Sequence, residues 1–83
     1  GIMVFDKIKK ILSKYIDTNL EEVTLETRLA EDLGLNSYEF MSVIGEIEEE
    51  FDVELDEREI VKLISIADLL DYISNFKEEN VFA

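Results

Sequence analysis

The chain contains no cysteine, no histidine and no proline, and only three glycines among its 83 residues. Without cysteine there is no disulfide framework, no thiolate nucleophile and no thiolate metal site. Without histidine the commonest general base is missing. The lack of proline and the scarcity of glycine argue against a loop-rich or all-β protein. No apolar run approaches the roughly 18–20 residues that a membrane-crossing helix needs. No signal peptide is expected, because no charged segment followed by an apolar block opens the chain. Positive charge is scarce as well: 8 basic residues stand against 21 acidic ones, for a formal net charge of −13. Phosphate backbones and anionic membrane surfaces repel such a chain, so neither nucleic acid nor membrane is an expected partner, and basic protein surfaces are favoured. The absence of cysteine fits a cytoplasmic protein.

What is present is regular apolar spacing from end to end. Residues 1–83 read as one domain, with a single modest core. Gly1-Ile2 precede Met3 and read as a remnant outside it, and residues 77–83 read as a frayed tail. There is no repeat, linker or low-complexity segment. Charge is uneven: Lys7, Lys9, Lys10 and Lys14 hold half of the positive residues, and between residues 17 and 59 only Arg28 and Arg58 oppose the acids. The expected partner surface is therefore the middle of the chain.

Four helical segments are predicted. The first covers residues 4–16, where Phe5, Ile8, Leu12, Tyr15 and Ile16 make one stripe. A long connection over residues 17–36 follows. Its Val23, Leu25, Leu29, Leu33 and Leu35 are too apolar for a loose tether, so it is expected to pack across the bundle, with a short turn of helix within residues 27–32. The second main helix covers residues 37–51. Phe40, Val43, Ile44, Ile47 and Phe51 form its buried face, and Asn36 with Glu39 forms a capping box. Glu48, Glu49 and Glu50 sit near its C-terminal end, where the helix dipole disfavours them. Either core packing overrides that cost or the acids serve a partner. A short third helix over residues 57–64 is capped by Asp56 with Glu59. The fourth covers residues 66–75, capped by Ser65 with Asp68, and buries Ile66, Leu69, Leu70 and Ile73; Phe76 reads as a last packing residue. The fold class is all-α: a small bundle of three longer helices and one short one, with a long first loop.

Catalysis finds little support. Ser37 has no activating partner in the sequence, and a solvated acidic face gives paired carboxylates no distinct environments. The calcium-loop pattern fails over residues 17–28 and again over residues 46–57, so no metal site is expected. Ser37 is nevertheless singular. It falls at the first turn of a helix, beside unpaired N–H groups and the positive end of the dipole, where an attached phosphate would be stabilised. Gly34 lets the loop before it turn sharply. On the Asn36-Ser37 dipeptide alone, ordinary capping is the better reading.

Three stretches change that balance: Leu29-Ala30-Glu31-Asp32-Leu33-Gly34-Leu35-Asn36-Ser37, Ile47-Glu48-Glu49-Glu50-Phe51, and Leu63-Ile64-Ser65-Ile66-Ala67-Asp68-Leu69-Leu70-Asp71-Tyr72-Ile73. Together, at these spacings, they resemble the acyl carrier protein family, and the resemblance covers nearly the whole chain. It implies a freestanding carrier, not an enzyme. Ser37 would receive a covalent 4′-phosphopantetheine from a phosphopantetheinyl transferase, with Gly34, Asn36 and Tyr38 around the attachment point. The thiol that the sequence lacks would arrive with that arm, to carry an acyl or aminoacyl group as a thioester. Loading and processing enzymes with basic docking patches would be the other partners, meeting a monomer at Glu39, Met41, Ser42, Gly45, Glu46, Glu48, Glu49 and Asp52. The pathway would be fatty acid, polyketide, peptide or other specialised biosynthesis. Four departures from the family pattern bear on it. Asn36 stands where aspartate is usual, which removes a charge that a transferase could pair with. Tyr38 replaces leucine. Ser42 and Gly45 replace the glutamate and methionine frequent in fatty-acid carriers, which points toward a specialised pathway. Gly45 costs about 1 kcal/mol against alanine inside a helix, explained by close approach of a partner or cargo or by plain lack of optimisation. The alternative is an unmodified acidic interaction module of the same fold.

Overall fold

The computed structural model describes residues 2–81, with side chains placed for residues 3–75. Four α-helices follow in chain order: α1 (Ile2–Leu12), α2 (Ser37–Phe51), α3 (Glu57–Ile60) and α4 (Ile66–Val81). Among the described residues there is no strand, only an isolated bridge between Arg28 and Ser65.

α1 begins at Ile2 and ends four residues before the predicted end. Beyond Leu12 the backbone tightens: the Lys14 N–H donates to Ile11 at 3.2 Å and the Tyr15 N–H to Leu12 at 2.9 Å. Bonds three residues apart close a helix with a tighter turn. Tyr15 and Ile16 continue the apolar stripe from that turn and pack half-buried against the core.

The long connection holds a 3₁₀ turn at Leu20–Glu22, where Asn19 Oδ1 accepts the Glu21 N–H at 3.0 Å. Where a turn of helix was expected within residues 27–32, the chain makes successive turns instead. The Asp32 carboxylate accepts the Arg28 N–H at 2.8 Å, and that bond folds the loop back on itself. Val23, Leu29, Leu33 and Leu35 are buried as predicted, whereas Leu25 is 44% exposed. Leu25 contributes its backbone: its carbonyl accepts the Ala67 N–H at 2.9 Å. Two further bonds, Leu29 N–H to Ile64 at 2.8 Å and Ile66 N–H to Thr27 at 3.0 Å, pin the loop to the start of α4.

α2 has the predicted bounds. Asn36 Oδ1 accepts the Glu39 N–H at 2.7 Å and Glu39 Oε1 accepts the Asn36 N–H at 3.0 Å, so the capping box is complete. The helix ends on Asp52, held in the left-handed region at φ 53°. Its last acids divide in role: Glu48 Oε2 accepts the Leu55 N–H at 2.8 Å and stitches the link that follows. α3 is shorter than predicted. Asp56 caps it by accepting the Arg58 N–H at 2.9 Å, while Glu59 pairs with Lys62 at 3.5 Å and completes no box. At α4 the box forms as read, with Ser65 Oγ accepting the Asp68 N–H at 3.2 Å and Asp68 accepting the Ser65 N–H at 3.0 Å.

α4 continues six residues past the predicted end, so residues 77–81 are helical and not a frayed tail. The apolar stripe stops at Ile73, but lysine and glutamate are good helix formers and no glycine or proline interrupts them. The expectation that Phe76 packs lies outside the described side chains, as do residues 82–83 of the tail. The core joins all these elements: Ile8, Leu12, Ile44, Ile47, Ile66, Leu69 and Ile73 are each at most 1% exposed. No polar or charged residue is buried among those described.

Candidate functional site

Three local constraints bring Ser37 to the surface. Gly34 closes the preceding turn at φ +72°, with its N–H on the Ala30 carbonyl at 2.9 Å. Left-handed backbone is the reason for a glycine there. Leu35 then drives into the core, at 6% exposure. Asn36 starts α2, and Ser37 is its first residue. The serine is exposed, and among the described residues its hydroxyl makes no hydrogen bond.

The first-turn amides sort into two groups. Those of Asn36 and Glu39 are taken by the capping box, and that of Phe40 donates to the Asn36 carbonyl at 2.8 Å. Among the described residues, the N–H groups of Ser37 and Tyr38 have no protein acceptor. Unpaired N–H groups at a helix start favour an anion. Tyr38 stands almost free at 81% exposure.

A cavity of about 380 Å³ opens beside Ser37, between α2, the pinned loop and the α3 region. Its walls are mainly apolar: Leu29, Leu35, Phe40, Ile60, Leu63 and Ile64. Ser37, Asn36, Arg28 and Glu31 supply its polar lining. Arg28 is already engaged. It pairs with Glu31 and lies 3.2 Å from Asp32. The hydrogen bond to Asp32 raises the guanidinium above its ordinary range, and the same bond holds the Asp32 carboxyl below the usual one.

The acids of α2 differ more than their sequence suggests. Glu39 serves the capping box and Glu48 the Leu55 amide. Glu46 turns toward α1, where Lys14 Nζ donates to it at 2.6 Å and the Tyr15 hydroxyl donates to its other oxygen. The Lys14 and Tyr15 bonds hold the Glu46 carboxyl below the ordinary range. The same Tyr15–Glu46 bond pushes the phenol up. Glu49 and Asp52 face solvent, with no ion pair among the described residues. Met41 is 44% exposed, Ser42 is half-buried, and Gly45 faces open space.

Sequence reasoning singled out the serine and its flanks but not the cavity wall. Leu29, Leu35 and Phe40 read as ordinary packing positions, and Ile60, Leu63 and Ile64 were given no role.

A family model described as "Phosphopantetheine attachment site" matches residues 6–73. The acyl carrier protein of Clostridium acetobutylicum is 35% identical over 77 residues, which is 93% of this chain and all of that protein. That of Nitratidesulfovibrio vulgaris is 39% identical over 72 residues, 87% of this chain and 95% of its own length. The solved structure of acyl carrier protein from Enterococcus faecalis superposes with a TM-score of 0.78 at 28% identity, over 89% of this chain and 94% of that one. A family match over residues 6–73, an all-helical fold of the same kind and relatives aligned along nearly their whole length lead to one conclusion: this chain belongs to the acyl carrier protein family, whose members bear a covalent 4′-phosphopantetheine and act as carriers, not enzymes.

Proposed function

We propose that Ser37 is the attachment point of the 4′-phosphopantetheine arm and that the cavity beside it shelters an aliphatic acyl cargo. One observation carries the reading: an exposed, unbonded hydroxyl at the first turn of α2 opens onto an apolar cavity of about 380 Å³. The residues suit the group. A phosphodiester on Ser37 would meet the N–H groups of Ser37 and Tyr38, which no protein acceptor uses, at the positive end of the α2 dipole. When bound, the arm supplies a terminal thiol that holds the cargo as a thioester.

The chain's own residues do the rest. Gly34 and Leu35 fix the approach to the serine. The capping box holds the start of α2 rigid while leaving the hydroxyl uncovered. Leu29, Leu35, Phe40, Ile60 and Leu63 offer an apolar wall, which favours acyl over charged aminoacyl cargo. Family membership implies a phosphopantetheinyl transferase and acyl-processing enzymes as partners. We place their basic surfaces on the exposed end of α2, at Glu49 and Asp52, because Glu39, Glu46 and Glu48 are engaged within the fold. Complementary charge of this kind speeds encounter and is weakened by salt.

The test is intact-mass measurement after incubation with coenzyme A and a broad-specificity phosphopantetheinyl transferase. The wild-type chain should gain the mass of one arm and Ser37→Ala should gain none. A gain in Ser37→Ala would move the attachment elsewhere. No gain in the wild type with several transferases would leave an unmodified interaction module.

A further inference from the structure

α4 grips both ends of the segment that carries α3. At the near end, the Tyr72 hydroxyl accepts the Asp56 N–H at 3.0 Å. At the far end, the Asp68 carboxylate accepts the N–H groups of Ile64 and Ser65, each at 3.0 Å. Asp68 and Tyr72 stand four residues apart, about 6 Å along the helix axis. They flank Leu69 and Ile73, which are 0% and 1% exposed, so the gripping face is fixed by the core.

Between the grips the segment is held by its core residue and its own bonds, and its far end is shared with the first loop, whose Leu29 N–H donates to the Ile64 carbonyl at 2.8 Å. Backbone bonds from residues 59–63 return to residues 56–60 and stay within the segment. Ile60 anchors its middle in the core at 2% exposure, while Val61 and Ile64 are 77% and 61% exposed. This same segment supplies Ile60, Val61, Leu63 and Ile64 to the cavity beside Ser37. The facing wall, with Phe40 on α2 and Leu35 on the pinned loop, is built on the capping box and the core.

We propose that Asp68 and Tyr72 are positioning residues that set how far the α3 wall stands from α2, and thereby the length of acyl chain the cavity takes. The proposal rests on the reading that the cavity shelters cargo. With both ends held, the segment bows only as far as its local bonds allow. Loosening one end lets Val61 and Leu63 shift away from Phe40 about the Ile60 anchor. The cavity then suits longer chains, and short chains lose contact. Neither residue touches Ser37's hydroxyl, so neither is required for attachment of the arm.

The experiment uses the full chain carrying saturated acyl arms of graded length on Ser37, transferred from the matching acyl-coenzyme A compounds. Melting temperature and amide exchange at Ile60 and Leu63 are measured for wild type, Tyr72→Phe, Asp68→Ala and Asp68→Asn. In the wild type, protection should rise with chain length to an optimum. Tyr72→Phe and Asp68→Ala should move that optimum to longer chains, whereas Asp68→Asn, which keeps an acceptor oxygen, should retain it. An optimum unchanged in Tyr72→Phe overturns the proposal, even if every melting temperature falls, because a purely structural role lowers all chain lengths alike. Should Asp68→Ala fail to fold, Tyr72→Phe decides. A wild type indifferent to chain length sinks the cargo-cavity reading itself, before any variant is compared.

Discussion

The same methyl group, added at two glycines, should move stability in opposite directions. Gly45 lies inside α2, and a Cβ built there meets nothing within 4 Å. Alanine at this position gains helix propensity of about 1 kcal/mol with no steric cost. For a domain of this size that is a rise in Tm of roughly 4–8 °C. Gly34 also has open space around its Cβ position, but its φ is +72°. Left-handed backbone costs an L-residue about 1–2 kcal/mol. Part of that is offset by the ~0.4–1 kcal/mol that alanine gains by restricting the unfolded chain. The net for Gly34→Ala is a loss of about 1 kcal/mol, so the two variants should differ by on the order of 2 kcal/mol. Urea unfolding of the unmodified proteins measures both, and the pair controls for the chemistry of adding a methyl. Shifts of the same sign would refute the reasoning, as would a Gly45→Ala variant no more stable than wild type. A Gly45→Ala protein that is more stable yet modified more slowly would show that the gap at residue 45 receives the transferase.

Other outcomes follow from the caps and ion pairs. Asn36→Ala removes the acceptor of the Glu39 N–H and should cost about 1 kcal/mol, whereas Asn36→Asp keeps it and should melt near the wild type by calorimetry. Asp52→Asn should stabilise by about 0.5 kcal/mol in urea titrations, since asparagine tolerates the left-handed region and removes an anion from a helix C-terminus. Glu46→Gln should flatten the acid limb of stability against pH. The folded carboxyl is held low by Lys14 and then Tyr15, so its contribution is complete above the unfolded value of about 4.3 and is lost as pH falls through the depressed folded one. The wild-type advantage in Tm should therefore shrink on acidification; a constant gap would contradict it. Tyr15→Phe tests the other side. The phenol's pKa is raised, chiefly by its hydrogen bond to Glu46, so that contribution should persist up to about pH 10 and vanish above it.

The elements legible in the sequence were those whose signals are local. α2 has its predicted bounds because Asn36, Glu39 and an unbroken stripe from Phe40 to Phe51 all act within a turn or two. The start of α4 was legible for the same reason, through Ser65 and Asp68. Ends were not. Tyr15 and Ile16 kept the helical period after α1 had tightened into a turn, because apolar spacing reports packing and not hydrogen bonding. Glu59 matched a capping pattern, yet its carboxylate found Lys62 instead. At the site, Gly34 stood out because it answers a backbone requirement, and Ser37 because its place at a helix start coincided with the family resemblance. Glu46 and Glu48 read like their solvated neighbours, since their partners, Lys14, Tyr15 and the Leu55 amide, are set by tertiary placement. The cavity was invisible because it is made by what α3 fails to cover.

The bridge between Arg28 and Ser65 has a consequence for how the site is made. It joins the first loop to the last helix, so its hydrogen bonds repay the closure of a long stretch of chain only once both partners are present. Contacts of that kind slow folding and belong to its later events. The capping box at α2 closes over three residues and can form early. The expected order is therefore the helix start first and the wall beside Ser37 afterwards. A ribosome-bound chain lacking α4 would offer the hydroxyl without the room beside it.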